Sequence, residues 1–156
     1  MSENYVLKLY KKWAGRPFGK KLFSMFAAKQ APYFSSITPY VSDLGVGYCE
    51  VHIKKRKRLQ NHIGTVHVIA IANGLEMAMG FMAEASIPKH LRWIPKGMDI
   101  QYVAKGETDI RCFARFENNA WAVGDLPIEV VALDSNDNPV VEGVINLWVT
   151  EKPENA

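Results

Sequence analysis

Cysteine is scarce in this chain. Only Cys49 and Cys112 occur in 156 residues, too far apart for the clustered Cys and His spacing of a structural zinc. Both suit small apolar positions on strands, and neither a metal nor an organic cofactor is expected. Charge of one sign is weak as well. A formal net charge of +3 is far below the basicity of most nucleic-acid-binding domains, so no nucleic-acid partner is expected. A leader pattern is missing, because Lys8, Lys11 and Lys12 interrupt the apolar residues between Tyr5 and Trp13, and a cytoplasmic location follows as the expectation. Nor is there an internal repeat, a low-complexity tract or an interdomain linker. With 48% apolar residues, residues 1–156 are expected to form one domain with a sizeable core.

What is present is ordered. Residues 1–34 carry Tyr5, Leu7, Leu9, Tyr10 and Trp13, then Leu22, Phe23, Met25 and Phe26, among lysines and with breaks at Gly15, Pro17 and Gly19. That pattern predicts two short amphipathic helices ahead of a core at 35–150. Residues 37–54 are rich in Tyr, Val and Ile, and Asp43, Gly45 and Gly47 offer a turn, so a strand pair is expected. Residues 63–83 then run apolar on every side of a helix, a span too long for an ordinary strand. Membrane insertion is not expected, because Thr65, His67, Asn73 and Glu76 would be costly there. After Pro88 the preference returns to strand at 97–103, 108–116, 128–133 and 140–150, with turn residues between, which predicts a four-stranded antiparallel meander. A helix apolar all round must be surrounded. A curved antiparallel sheet wrapped around one long central helix, an α+β fold with extra N-terminal helices, meets that need.

Several stretches carry a family likeness. Asn61, His62, Ile63, Gly64 and Thr65, running into the helix with Gly74, Leu75 and Glu76, resemble the opening of the central helix in hotdog-fold acyl-CoA thioesterases. Residues 98–106, starting Met98-Asp99-Ile100-Gln101, resemble the strand that follows that helix. The nearest likeness is to a largely uncharacterised bacterial group of thioesterases. The resemblance implies a hotdog fold, hydrolysis of an acyl-CoA or related thioester to free acid and thiol, and a homodimer or tetramer with the site between subunits. An exposed sheet edge favours the same association.

Residue chemistry supplies candidates for that reaction. At about 100° per residue, one helical stripe would hold His62, Ile69, Asn73, Glu76 and Gly80. An unpaired buried carboxylate is costly, so Glu76 needs a partner or a wet cleft. It suits a general base or nucleophile, with Asn61 or His62 positioning water or substrate, and free amides at Gly64 and Thr65 suit an oxyanion. Glu76 bonded across an interface or to backbone is the structural alternative. The resemblance implies an acid about two turns beyond the glycine, nearer Ala72 or Asn73, so Asn73 is a second candidate for orienting water. The basic run at 54–58 reads either as a solvated strand end or as a set of cations, Lys54, Arg56 and Arg58 among them, that attract the phosphates of coenzyme A. Two other activities stay open: a non-catalytic acyl-thioester or lipid-binding module, and a hotdog dehydratase or hydratase, for which His62 lacks an Asp close by in sequence.

Overall fold

A computed structural model describes residues 3–153. Helix α1 spans Tyr5–Ala14 and α2 spans Gly19–Gln30. A 3-10 segment, Pro32–Ile37, leads into the hairpin of β1 (Tyr40–Gly45) and β2 (Tyr48–Ile53). After a 3-10 turn at Lys57–Leu59 comes the long helix α3, Val68–Ser86. Strands β3 (Leu91–Tyr102), β4 (Ile110–Arg115), β5 (Gly124–Leu133) and β6 (Pro139–Glu151) complete the chain.

All six strands form one antiparallel sheet in the order β1-β2-β4-β5-β6-β3. The architecture is the α+β hotdog arrangement expected from the sequence. The meander needs correction. It holds for β4, β5 and β6, but β3 crosses to the far edge and pairs with β6, so β4 joins the first hairpin through β2. Strand β3 also starts at Leu91 rather than near Gly97. Pro95 lies within β3 and disguises it, a residue that sheets tolerate at an edge.

One core joins sheet and helices. Ile71, Leu75, Ala78 and Met82 of α3 are essentially inaccessible, as are Val51, Ile53, Ile110, Cys112, Ile128 and Ile145 of the strands. Close approach of helix to sheet depends on Gly74. A Cβ there would lie 2.5 Å from Ile53 Cδ1 and 2.8 Å from Cys112 Sγ. At the far edge Gly143, with φ of +157°, lets β3 approach β6, since a Cβ would meet the Asp99 carbonyl oxygen at 2.1 Å.

The N-terminal helices cover a second side of α3. Leu7, Tyr10, Phe23 and Ala27 belong to the same core cluster, and Phe23 meets Phe81 edge to face with ring centroids 6.0 Å apart. Asn4 Nδ2 donates to the Glu84 and Ile87 carbonyls at 3.1 and 2.8 Å, satisfying the C-terminal end of α3. Although α3 is long and apolar enough to cross a membrane, the sheet on one side and α1 and α2 on another enclose most of it.

Candidate active site

The approach to α3 is built by Asn61. Its Oδ1 accepts from the amides of Ile63 (3.2 Å) and Thr65 (3.1 Å), and its Nδ2 donates to Thr65 Oγ1 at 2.8 Å. The Gly64 amide donates to the Asn61 carbonyl at 3.1 Å. These bonds fold residues 61–65 into a tight turn, with Gly64 in a left-handed conformation at φ of +78°. The expectation of a helix from residue 63 is therefore corrected. Gly64 and Thr65 precede α3 and their amides are occupied, so they do not form a helix-end oxyanion site, and His62 is exposed on the turn rather than on the helical stripe. His67, exposed, caps the helix. Its Nδ1 accepts from the Ile69 amide at 3.1 Å and its carbonyl from Ala70 and Ile71. Among the described residues the Val68 amide, at the positive end of the helix dipole, makes no hydrogen bond.

One face of α3 is left open by sheet and N-terminal helices. Ile69 is 53% exposed on it, and Ala72, Glu76 and Gly80 are half-buried along the same stripe. Trp93 of β3 lies over Gly80, one turn beyond Glu76, and its Nε1 donates to Glu84 Oε1 at 2.9 Å. The Glu76 carboxylate makes no hydrogen bond or ion pair among the described residues. Asn73, one turn before it, is buried and donates to Ser36 Oγ at 3.2 Å and to the Tyr33 carbonyl at 3.4 Å. Through this nitrogen it ties α3 to the 3-10 segment.

The change of helix start gives Glu76 two counts. Measured from Gly64 the acid lies three turns on, but from Val68 it is eight residues away, or about 2.2 turns and about 12 Å of helix axis. Counted from the glycine, as the family likeness counts, the place of an acid stays nearer Ala72 or Asn73, and Glu76 lies about one turn beyond it.

The basic run divides. Lys54 and Arg56 border a cavity of about 760 Å³, whereas Arg58 bonds Thr38 Oγ1. The cavity opens at the β1–β2 end of the sheet, beside α2 and the start of β4, and none of its lining residues comes from α3. The candidates therefore separate into the open α3 face with Glu76, the turn held by Asn61, and the cavity with Lys54 and Arg56.

Titration at the described residues is perturbed mainly in the core. Burial pushes the thiols of Cys49 and Cys112 up. It pushes the Tyr10 phenol up as well, and that of Tyr48 up to about 12, with Glu50 adding to the Tyr48 effect. No three His, Cys, Asp or Glu side chains cluster as metal ligands among the described residues.

Comparison with other proteins bears on the family and the fold. A family model described as a domain of unknown function, DUF4442, matches residues 19–149. The chain belongs to the DUF4442 family. A structural-genomics protein, APC5556, shares 39% identity with this DUF4442 chain at a TM-score of 0.83, covering 95% of this chain and 99% of that one. Thioesterase HI1161 from Haemophilus influenzae is 9% identical at a TM-score of 0.74, covering 90% and 96%. A thioesterase family protein from Silicibacter pomeroyi is 11% identical at 0.70, covering 87% and 100%. The last two show the shared fold. No curated protein matches the sequence.

Trp93 and the cavity residues Lys21, Tyr40, His52 and Arg111 were not evident in the sequence. Tyr40 and His52 face each other in the β1–β2 register, which the hairpin signal alone could have supplied. The arrival of Lys21 from α2 depends on tertiary packing.

Proposed function

We propose that this DUF4442 protein is a thioesterase, hydrolysing an acyl-CoA or related acyl thioester in a site that two copies of the chain complete. The observation that carries this reading is Glu76, a half-buried carboxylate on the open face of the central helix without a hydrogen-bond or ion-pair partner among the described residues. Such a group suits a general base for water or a nucleophile on the thioester carbonyl. The Val68 amide at the start of α3 suits the oxyanion that develops.

The two groups cannot serve one carbonyl from one helix. They are separated by about 12 Å along the axis, whereas base and oxyanion donor must both lie roughly 3 Å from the reacting atoms. Two antiparallel α3 helices, one from each copy, would bring Val68 of one beside Glu76 of the other. Strand β3 offers the joint. Among the described residues it pairs only with β6, leaving a free edge 12 residues long that exposes Ile94 and Tyr102, each 60% accessible. A long unprotected edge is a template for another strand. The thioesterase neighbours of the same fold support this reading.

The test is free-thiol release from short, medium, long and aromatic acyl-CoAs by the wild-type protein and a Glu76→Gln variant of unchanged circular dichroism. The expected result is a fall in kcat of about a hundredfold or more. Full activity in the variant removes Glu76 from the chemistry. Absence of hydrolysis with acyl-CoA binding retained, seen as a raised melting temperature, makes the protein a binding module instead.

A further inference from the structure

We propose that the cavity at the β1–β2 end of the sheet binds a nucleotide, with the cations on its rim holding the phosphates and its aromatic wall holding the base. Four cationic side chains line it, Lys21, Lys54, Arg56 and Arg111, against the single carboxylate of Asp109. Arg111 is already paired with Asp137 and near Glu50, and Asp109 Oδ1 accepts from the Lys55 amide at 2.8 Å. Lys21, Lys54 and Arg56 form no salt bridge among the described residues. They come from separate parts of the chain, α2 and the segment after β2, and packing gathers them on one exposed rim, a positive field that attracts anions. A single carboxylate would neutralise one of three. A ligand with two or more phosphate charges matches the set.

The walls select further. Tyr40 and His52 meet edge to face with centroids 6.1 Å apart, and Met25, Pro39, Ile53 and Ile110 supply apolar surface. A planar base packs against such a wall. The volume of about 760 Å³ lies in the usual range for small-molecule sites, roughly 300–1,000 Å³. A neighbouring cleft shares Lys21 and Tyr40 and adds Arg16 and Lys20, extending the positive surface over the α1–α2 junction.

A phosphorylated nucleoside can come from two sources. It can be the nucleotide end of a CoA thioester, which rests on the thioesterase reading, or a free nucleotide, which does not. Binding of adenosine 3′,5′-bisphosphate, AMP and inorganic phosphate is measured by calorimetry on the wild-type protein, on Lys54→Ala/Arg56→Ala and on Tyr40→Ala, with folding checked by circular dichroism. The expected result is saturable binding of the bisphosphate, weakened about tenfold or more by the double variant. Tyr40→Ala is expected to weaken nucleotide more than phosphate. Parallel hydrolysis of acyl-CoA and acyl-pantetheine separates the sources. A double variant whose kcat/KM falls selectively for acyl-CoA identifies the CoA nucleotide, and an unaltered ratio with nucleotide binding lost identifies a free nucleotide. A protein that hydrolyses neither substrate but binds bisphosphate through these residues retains this proposal while losing the thioesterase one. No saturable nucleotide binding, or equal binding by the folded double variant, overturns it.

Discussion

Asn73 and Glu76 stand one turn apart on α3, and their surroundings assign them different work. The Asn73 side chain is buried and spans to Ser36 and Tyr33, whereas Glu76 reaches the open face with no partner among the described residues. Asn73→Ala is therefore expected to lower stability by about 1–3 kcal/mol, since it leaves polar groups at the helix–3-10 junction unmatched. The check is the midpoint of urea unfolding. A variant as stable as wild type but inactive would return Asn73 to the chemistry. The two thiols give a second expectation at this scale. With Cys49 and Cys112 fully buried and their thiols pushed above the ordinary value of 9.0, the unfolded chain loses these protons at lower pH than the folded one. Stability is then fully present below about pH 9 and declines as pH rises toward the folded values, by about 1.4 kcal/mol per pH unit for each thiol. Melting temperatures from pH 7 to 11, compared with Cys49→Ala/Cys112→Ala, measure it, and a variant with the same alkaline decline would remove the thiols as the cause.

At the scale of elements, the boundary between the Asn61 turn and α3 decides how the site is counted. Ile63 and Val66 continue the apolar pattern of the helix backwards, so periodicity alone extends α3 by five residues. What stops it is side-chain chemistry, because Asn61 takes the amides of Ile63 and Thr65 that a helix would need. The existence of α3, the β1–β2 hairpin and strands β4 to β6 was legible because burial imposes periodicity on the chain. The placement of β3 beside β6 was not, since strand order depends on contacts distant in sequence. Glu76 was legible as a misplaced charge in an apolar run, but the cavity was legible only in part, through Lys54 and Arg56. The helix–sheet contact offers its own test. Gly74→Ala raises helix propensity by about 1 kcal/mol, yet its Cβ meets Ile53 and Cys112 below 3 Å. Overpacking is expected to prevail, with a net loss of about 1–3 kcal/mol in thermal or denaturant unfolding. A Gly74→Ala protein more stable than wild type would show that α3 rides loosely on the sheet.

For the whole molecule, the free β3 edge and the distance from Val68 to Glu76 make the same demand. The edge extends over 12 residues, about 40 Å at the usual rise per strand residue, and carries exposed Ile94, Met98 and Tyr102. Pairing two such edges would bury that surface and lay one α3 near the other, bringing together groups that a single chain holds about 12 Å apart. Association and catalysis should therefore fail together. Ile94→Lys/Tyr102→Lys places two charges on the edge at side chains already open to solvent, so the folded subunit should survive with little change in circular dichroism. Light scattering is expected to show the wild type as a dimer or larger assembly and the variant as a monomer, with thiol release from acyl-CoA reduced to the level of Glu76→Gln. A monomeric variant with full activity would place base and oxyanion donor within one chain and require another donor near Glu76. A wild type that is itself monomeric and active would do so without any mutation.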